Sequence, residues 1–361
     1  MTHTFKLARR MARFRILAAV SALLAAVGCG GGDDLGFTTP SAPPAAQNDP
    51  SKLDSLISSA PPETFPPVPS PTGIPFGPFN AWDGTDLNAG TEVFTASLGS
   101  VNTSNILRRV AKARASGVKL ILAMTGGGHH RYLTKGVFNL AKWKARMNAY
   151  NTPEIQAAVA TAVADGTIIG NVVMDEPHVS GLGDGNTWGP RGTMTKARVD
   201  GMCQYVRSIF PTLPVGVVHQ PNAFEPQESY RVCDFLVAQY AWRSTAGNIL
   251  KFRDEALALG RRDGMAIVFS MNILNGGVQA LRDGTWKCSR TTTGGRGTFD
   301  PNCRMTPQQI RDWGIALGSA GCALVMWRYD PAFMSKPVNV EAFRAVGAAL
   351  ASVQGRGCRR S

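Results

Sequence analysis

The sequence contains no Cys-x-x-Cys pair, no Gly-x-Gly-x-x-Gly segment after its first predicted strand, and no dense basic run interleaved with aromatic residues. The first absence argues against a zinc-ribbon or thioredoxin-type protein, and the second argues against a dinucleotide-binding fold. The third argues against nucleic-acid binding, although the formal net charge is +13. The scattered basic residues indicate instead a solvated basic surface, which suits anionic lipid or acidic glycans nearby.

The first 28 residues have the layout of an export signal. Basic residues precede an apolar run, Ile16–Val27, that is too short to span a bilayer with ease. Small residues then lead to Cys29, an arrangement similar to a bacterial lipobox, although Ala26 stands where that motif prefers leucine. We therefore expect removal of residues 1–28 and lipidation of Cys29, with ordinary signal cleavage as the alternative. Gly30 after the cysteine predicts a lipoprotein of the outer membrane, on its periplasmic side or at the cell surface.

Composition divides the rest of the chain into three parts. Residues 29–72 are predicted to be a disordered linker, because ten of them are proline and few are apolar. Residues 73–355 are long enough for one large domain, and residues 356–361 are expected to be a C-terminal tail.

Cysteine usage agrees with export. Six cysteines remain after Cys29, and an even number in an oxidising compartment predicts three disulfides. Sequence alone does not determine which cysteines pair. Proximity along the chain favours the pairs Cys203 with Cys233, Cys288 with Cys303, and Cys322 with Cys358.

Eight short apolar segments predict eight β-strands. They are Ile74–Trp82, Val93–Leu98, Val118–Met124, Ile168–Met174, Val215–Val218, Phe235–Ala238, Met265–Met271 and Cys322–Met326. Helical patterns lie between most of them, such as the one that opens with Thr152 and Pro153. Strands that alternate with helices indicate a parallel sheet, and eight of them predict an α/β fold, a single (β/α)8 TIM barrel. A doubly wound open sheet is the alternative.

Residues able to perform chemistry collect just after these strands, where a barrel places its active site. Asp175 and Glu176 follow strand four, and the four histidines outside the leader follow strands three, four and five. Aromatic faces beside carboxylates and amides suit a carbohydrate, whose C–H faces stack while its hydroxyls need hydrogen bonds. The predicted substrate-binding residues are Trp82, Asp83, His129, His130, His178, His219, Gln239, Asn272, Trp327, Arg328 and Asp330.

A barrel with an acid at the end of strand four resembles the exported glycoside hydrolases. Strand seven ends in Asn272, where the usual retaining pattern has a nucleophile. The adjacent Asp-Glu pair is instead similar to glycoside hydrolase families 20 and 123, in which the substrate's 2-acetamido group acts as nucleophile. Lys119–Gly127 is similar to the third strand of family 18, whose DxxDxDxE motif is absent here. This resemblance implies that Glu176, with a raised pKa, is the general acid, that Asp175 stays ionised, and that Tyr240 donates to the forming oxazoline.

Other functions fit the same residues. Glu225, in the loop after strand five, is the best second carboxylate for a conventional glycosidase. A metal-dependent hydrolase would draw ligands from Asp175, Glu176, His129, His178 and His219, although strand one has no His-x-His. A non-catalytic glycan-binding lipoprotein is the third possibility. The preferred interpretation requires no cofactor and no metal. We expect a monomer that binds a carbohydrate substrate and is attached to a membrane through its N-terminal lipid.

Overall fold

The computed structural model of the chain describes residues 72–81, 93–126, 128–179, 187–240, 248–277, 304–327 and 329–361. Eight parallel strands form one sheet, and they are β1 (Phe76–Pro78), β2 (Ala96–Ser100), β3 (Lys119–Ala123), β4 (Ile168–Asp175), β5 (Val215–His219), β6 (Phe235–Tyr240), β7 (Ala266–Asn272) and β8 (Ala323–Trp327). Their order in the sheet follows the chain, and β1 pairs with β8. Phe79, just after β1, bridges to Leu98 of β2, which brings the sheet round on itself. The predicted (β/α)8 TIM barrel is therefore confirmed.

Helices surround this barrel. They are α1 (Ile106–Ala115), α2 (Leu140–Asn148), α3 (Pro153–Ala164), α4 (Lys196–Ile209), α5 (Ile249–Asp263), α6 (Pro307–Gly318), α7 (Pro331–Met334) and α8 (Pro337–Ala351). Threonine side chains begin three of them, since Thr152, Thr195 and Thr306 each accept a hydrogen bond from a backbone N–H of the first turn. Residues 220–234 connect β5 to β6 without a helix. In the described part of the chain, no helix combines the length and apolar character needed to span a membrane.

A small apolar core fills the inside of the barrel, separate from the larger core between strands and helices. Phe235 is fully buried and belongs to the inner core. A Cβ added to Gly170 would lie 2.6 Å from its ring, and one added to Gly216 would lie 2.5 Å from it. Glycine on β4 and β5 therefore makes room for the phenylalanine of β6.

The C-terminal tail packs onto the end of the barrel where the strands begin. A disulfide joins Cys358 to Cys322, which lies directly before β8. The Arg360 guanidinium donates to the carbonyl oxygens of Cys233, at 3.0 Å, and Asp263, at 2.6 Å. Residues 356–361 thus hold together the starts of three strands.

Two of the three predicted disulfides are confirmed. Besides the tail disulfide, Cys203 of α4 is bonded to Cys233, just before β6. Cys288 and Cys303 lie outside the described residues, as do the leader, Cys29 and almost all of the linker.

Candidate active site

The carboxylate pair lies at the C-terminal end of β4. Asp175 is in register with Val218 of β5, a member of the inner core. Because paired residues on neighbouring parallel strands share a face, Asp175 faces the mouth of the barrel. Glu176 has a φ of 48°, which is uncommon for a residue with a side chain, and its N–H donates to the Val218 carbonyl at 2.8 Å. Such backbone strain is found preferentially at functional sites.

The electrostatics of the pair differ from the expectation. Burial raises the pKa of Asp175 to about 7, and the neighbouring Glu176 carboxylate adds to the rise. The side chain is nevertheless accessible to solvent, so the group is surrounded by protein but open towards the mouth. The sequence predicted a raised pKa for Glu176 and an ionised Asp175. In the structure the raised pKa belongs to Asp175, and a carboxyl that keeps its proton near neutral pH is what a general acid requires.

Trp188, which no sequence pattern singled out, contacts the backbone of the carboxylate pair. It is almost fully buried, and its indole N–H donates to the Asp175 carbonyl oxygen at 2.7 Å. Its ring stacks on His129, with 3.9 Å between centroids, and packs edge-on against Phe138. The only signal in the sequence was a tryptophan in an otherwise glycine-rich and polar loop after β4.

Polar side chains from β6 and β7 line the inner wall below the mouth. Gln239 is in register with Ser270, and Ser270 with Val325 of the inner core, so all three point inwards. The Gln239 Oε1 and the Ser270 Oγ are buried and have no hydrogen-bond partner among the described residues. Buried polar atoms without partners are rare in folded proteins, so these two atoms are candidates for binding a ligand hydroxyl or a water molecule.

Asn272 and Trp327 form the next layer towards the mouth. They are in register with each other, and Trp327 packs edge-on against Phe79 at 5.8 Å between ring centroids. The Asn272 Oδ1 accepts from the Asn275 N–H at 2.9 Å and so orders the loop after β7. Trp327 is half-buried and presents an aromatic face towards the mouth.

The Tyr240 ring lies on the outer face of β6, although its buried hydroxyl has no partner among the described residues, and its catalytic role stays a prediction. It is in register with Met271 of the outer core, and its fully buried ring contacts Phe252 of α5 and Trp313 of α6 at 5.3 and 5.7 Å. Neighbouring residues on a strand point to opposite faces. Gln239 and Tyr240 therefore cannot both line the site, and it is Gln239 that does.

His219 also points away from the mouth, and both of its ring nitrogens have partners within the protein. It is fully buried, with Nδ1 2.7 Å from the Gln220 carbonyl and Nε2 3.0 Å from the Tyr230 hydroxyl. These partners assign the proton to Nδ1, which donates, while Nε2 accepts from the tyrosine. Burial lowers the pKa of His219 to about 3, so the residue stays neutral and orders the segment after β5.

The other histidines lie nearer to the mouth but do not converge. His178, two residues after the pair, is half-buried, and burial lowers its pKa. His129 is half-buried against Trp188, and His130 is exposed. Among the described residues, no group of three His, Cys, Asp or Glu side chains is placed to hold a metal ion.

Two further predicted carboxylates have local structural partners. Asp330 caps α7 by accepting from the Phe333 N–H at 2.9 Å. Glu225 accepts a hydrogen bond from the Lys196 N–H at 2.6 Å and so caps the first turn of α4. This role differs from that of a second catalytic carboxylate. Trp82, Asp83 and Arg328 lie outside the described residues.

No protein-family profile matches the chain, and neither does any curated protein. Solved structures with a similar backbone include xylanase 10B from Thermotoga petrophila in complex with xylobiose, at 12% identity over 78% of this chain and 95% of that chain, with a TM-score of 0.45. An endo-1,4-β-mannanase from Eisenia fetida has 14% identity over 79% and 91% of the chains and a TM-score of 0.39. Endo-glycoceramidase II from Rhodococcus sp. has 12% identity over 72% and 74% and a TM-score of 0.37.

Proposed function

We propose that the protein is a glycoside hydrolase whose reaction takes place at the mouth of the barrel, on Asp175 and Glu176. The observation that supports this most is a carboxyl with a pKa of about 7 at the end of β4, next to a second carboxylate and facing the mouth. The wall that it faces combines an aromatic side chain, Trp327, with the buried polar atoms of Gln239 and Ser270. A sugar ring needs both kinds of contact.

In the proposed reaction Asp175 is the general acid. Its proton passes to the glycosidic oxygen as the bond between that oxygen and the anomeric carbon breaks. The charge of the neighbouring Glu176 carboxylate favours the protonated form of Asp175 before the reaction and stabilises the developing positive charge at the anomeric carbon. Water then supplies the new hydroxyl group and returns a proton to the pair. The two roles are exchanged relative to those that the family resemblance implied.

The proposed substrate carries a 2-acetamido group. Among the described residues, no second carboxylate faces the mouth from β5 to β8, since Glu225 caps α4 and β7 ends in Asn272. The acetamido oxygen of the substrate would then act as the nucleophile. Aryl N-acetylhexosaminides should be cleaved and the matching aryl hexosides should not; equal cleavage of both would contradict this choice of sugar.

The test of the hydrolase proposal compares Asp175→Asn and Glu176→Gln with the unchanged full chain. Each should lower turnover on aryl glycosides and polymeric glycans by about 10²- to 10⁴-fold. Asp312→Asn is the matched control, because Asp312 is an exposed carboxylate on α6 that pairs with Arg311. Full turnover in both site variants would refute the proposal, and turnover that is lost on adding a chelator would favour a metal-dependent hydrolase.

The pH profile gives a second readout. Since the acid must carry its proton and the pKa of Asp175 is raised to about 7, turnover should fall as the pH rises through that value. A rate that stays constant from pH 6 to pH 9 would contradict Asp175 as the proton donor.

A non-catalytic glycan-binding protein is the second candidate. The hydrogen bond from the Lys196 N–H to Glu225 favours this candidate. A conventional glycosidase would need a second catalytic carboxylate, and Glu225 is engaged as a helix cap instead. In that case the unchanged chain would bind glycans without turning them over, and Asp175→Asn would bind them equally well.

We also propose that the protein is an exported lipoprotein held in the outer membrane by acyl chains on Cys29. The support is the signal layout and the small residues before the cysteine. Cys29→Ala should abolish labelling by radioactive palmitate and release the protein from the membrane fraction. Release without any change in labelling would contradict lipidation at Cys29.

A further inference from the structure

A long part of the chain carries positive charge and no negative charge. From Val93 to Pro153 there is no aspartate or glutamate, although this span forms β2, β3, α1 and α2. The same span contains ten basic residues: Arg108, Arg109, Lys112, Arg114, Lys119, Arg131, Lys135, Lys142, Lys144 and Arg146. This span therefore carries a large excess of positive charge, although Arg114 is paired with Asp165 outside it, at 2.6 Å.

Part of this charge lies at the mouth, in the segment that follows β3. A 3₁₀ turn, His129–Tyr132, leads into a short hairpin of Leu133–Thr134 and Val137–Phe138. Arg131 and Lys135 are exposed, and neither pairs with a carboxylate among the described residues. Lys135 occupies the hairpin turn with a φ of 52°, so its side chain projects from the tip of the segment.

Trp188 connects this basic segment to the carboxylate pair. The Phe138 N–H donates to the Trp188 carbonyl at 3.1 Å, and the His129 ring stacks on the indole. The indole N–H in turn donates to the Asp175 carbonyl at 2.7 Å. The segment is therefore packed beside the site, so a polymer bound across the mouth would pass close to its cations.

We infer that the glycan recognised at this mouth is acidic, with carboxylate or sulfate groups that contact Arg131 and Lys135 a few sugar units from the cleaved bond. A uronate or sulfated polymer presents anions at regular intervals, and guanidinium and ammonium groups bind such anions through charge-assisted hydrogen bonds. The unbalanced charge of the surrounding span strengthens the attraction. The position of the cleaved bond rests on the proposed function, whereas the preference for an acidic glycan rests on the cations alone.

The experiment uses pairs of polymers that differ only in charge. Hyaluronan and polygalacturonate are each compared with their carboxyl-reduced forms, and chondroitin sulfate with its desulfated form, using the full chain. For at least one pair, the acidic member should bind about tenfold more tightly in about 0.05 M salt, and this advantage should disappear in about 0.5 M salt.

The double variant Arg131→Gln with Lys135→Gln should weaken binding of the acidic polymer by about three- to tenfold and leave the neutral polymer unaffected. The control is Arg231→Gln with Arg344→Gln, which removes the same charge from exposed residues outside the acid-free span. The control should bind like the unchanged chain.

Equal binding of the charged and neutral polymers, or equal losses in the two double variants, would overturn the inference. Binding to anionic lipid vesicles or to DNA, but to no acidic glycan, would overturn it too, since the cations would then serve a different partner. Charge-selective glycan binding without turnover would support the inference and contradict only the proposed hydrolysis.

Discussion

In the described part of the chain, buried polar groups have hydrogen-bond partners at one end of the barrel and lack them at the other. Where the strands begin, the buried Asp234 carboxylate accepts from the Val215 N–H at 2.8 Å and from Arg207 at 3.0 Å. Where the strands finish, Asp175 has a pKa of about 7, and the buried oxygens of Gln239 and Ser270 lack partners among the described residues. In barrels of this type the first end contributes stability and the second contributes chemistry. The difference indicates which substitutions should change the free energy of unfolding and which should change ligand binding.

The largest expected effect is on stability, at Phe235. Phe235→Ala should lower the free energy of unfolding by about 3–5 kcal/mol, because Gly170 and Gly216 have no side chains to fill the cavity. Trp327→Ala is the matched aromatic change at the mouth, and it should cost less stability because Trp327 is only half-buried. Denaturant unfolding measures both variants. If Phe235→Ala were as stable as the unchanged chain, packing inside the barrel would contribute no more stability than the mouth does, which would contradict the prediction.

The next effect concerns the tail disulfide. Cys358→Ala should lower the free energy of unfolding by about 2–4 kcal/mol, because the chain between Cys322 and Cys358 gains freedom when unfolded and the tail loses its anchor. Glycan binding at the opposite end should not change. A loss of binding with unchanged stability would show that the tail acts on the mouth and would contradict a purely structural role.

Two buried serines, one near each end of the barrel, differ in whether their hydroxyl groups have a hydrogen-bond partner. The Ser97 hydroxyl donates to the Pro78 carbonyl at 2.7 Å, whereas the Ser270 hydroxyl has no partner among the described residues. Ser97→Ala should therefore lower the free energy of unfolding by about 1 kcal/mol, and Ser270→Ala should leave it unchanged or raise it slightly. Ser270→Ala should instead weaken glycan binding. Equal destabilisation by both changes would mean that Ser270 is satisfied, for example by buried water.

The last effect is a pH-dependent gain in stability from Asp175→Asn. The pKa of Asp175 is raised on folding, so below about pH 4 the group is protonated in both the folded and the unfolded state and contributes no difference. As the pH rises to 7 the unfolded chain ionises first, which disfavours the fold, and the penalty is complete above the folded-state pKa. The variant should thus be more stable than the unchanged chain at pH 8 and equally stable at pH 3. A gain that is larger at pH 3 would contradict the raised pKa.

Much of the fold was readable from local sequence. Six of the barrel strands are short, mostly apolar runs, and for β1 (FGP) and β2 (ASLGS) the apolar residues just before or around them gave the signal, so all eight could be predicted from the hydrophobic pattern. The helix α5 was not predicted, because Phe252, Ala256 and Leu259 form a sparse apolar stripe between charged residues. The helix α2 was missed for a similar reason, since only Trp143 and Met147 of its residues are buried.

The direction in which each side chain faces was much harder to predict. Gln239 and Tyr240 are neighbours in the sequence, and both looked suitable for a site, but only one can face the mouth. His219 follows a strand end in the sequence just as Asp175 does. It is nevertheless in register with Ala238, which faces the outer core, and it is hydrogen-bonded to Tyr230. Strand ends alone do not specify a face.

Local sequence was enough to predict the parallel barrel and the carboxylate pair at the end of β4, because hydrophobic periodicity and strand boundaries are local properties of the chain. Proximity along the chain favoured two disulfides that the structure contains, but it did not determine them. The orientation of Asp175 towards the mouth, its raised pKa and the hydrogen bond from Trp188 to its carbonyl could be seen only in the folded protein. The tertiary structure also decided that His219 and Tyr240 belong to the outer core. The physical reason is that register between strands and burial by distant residues set the direction and the electrostatics of a side chain, and both depend on parts of the chain far apart in sequence.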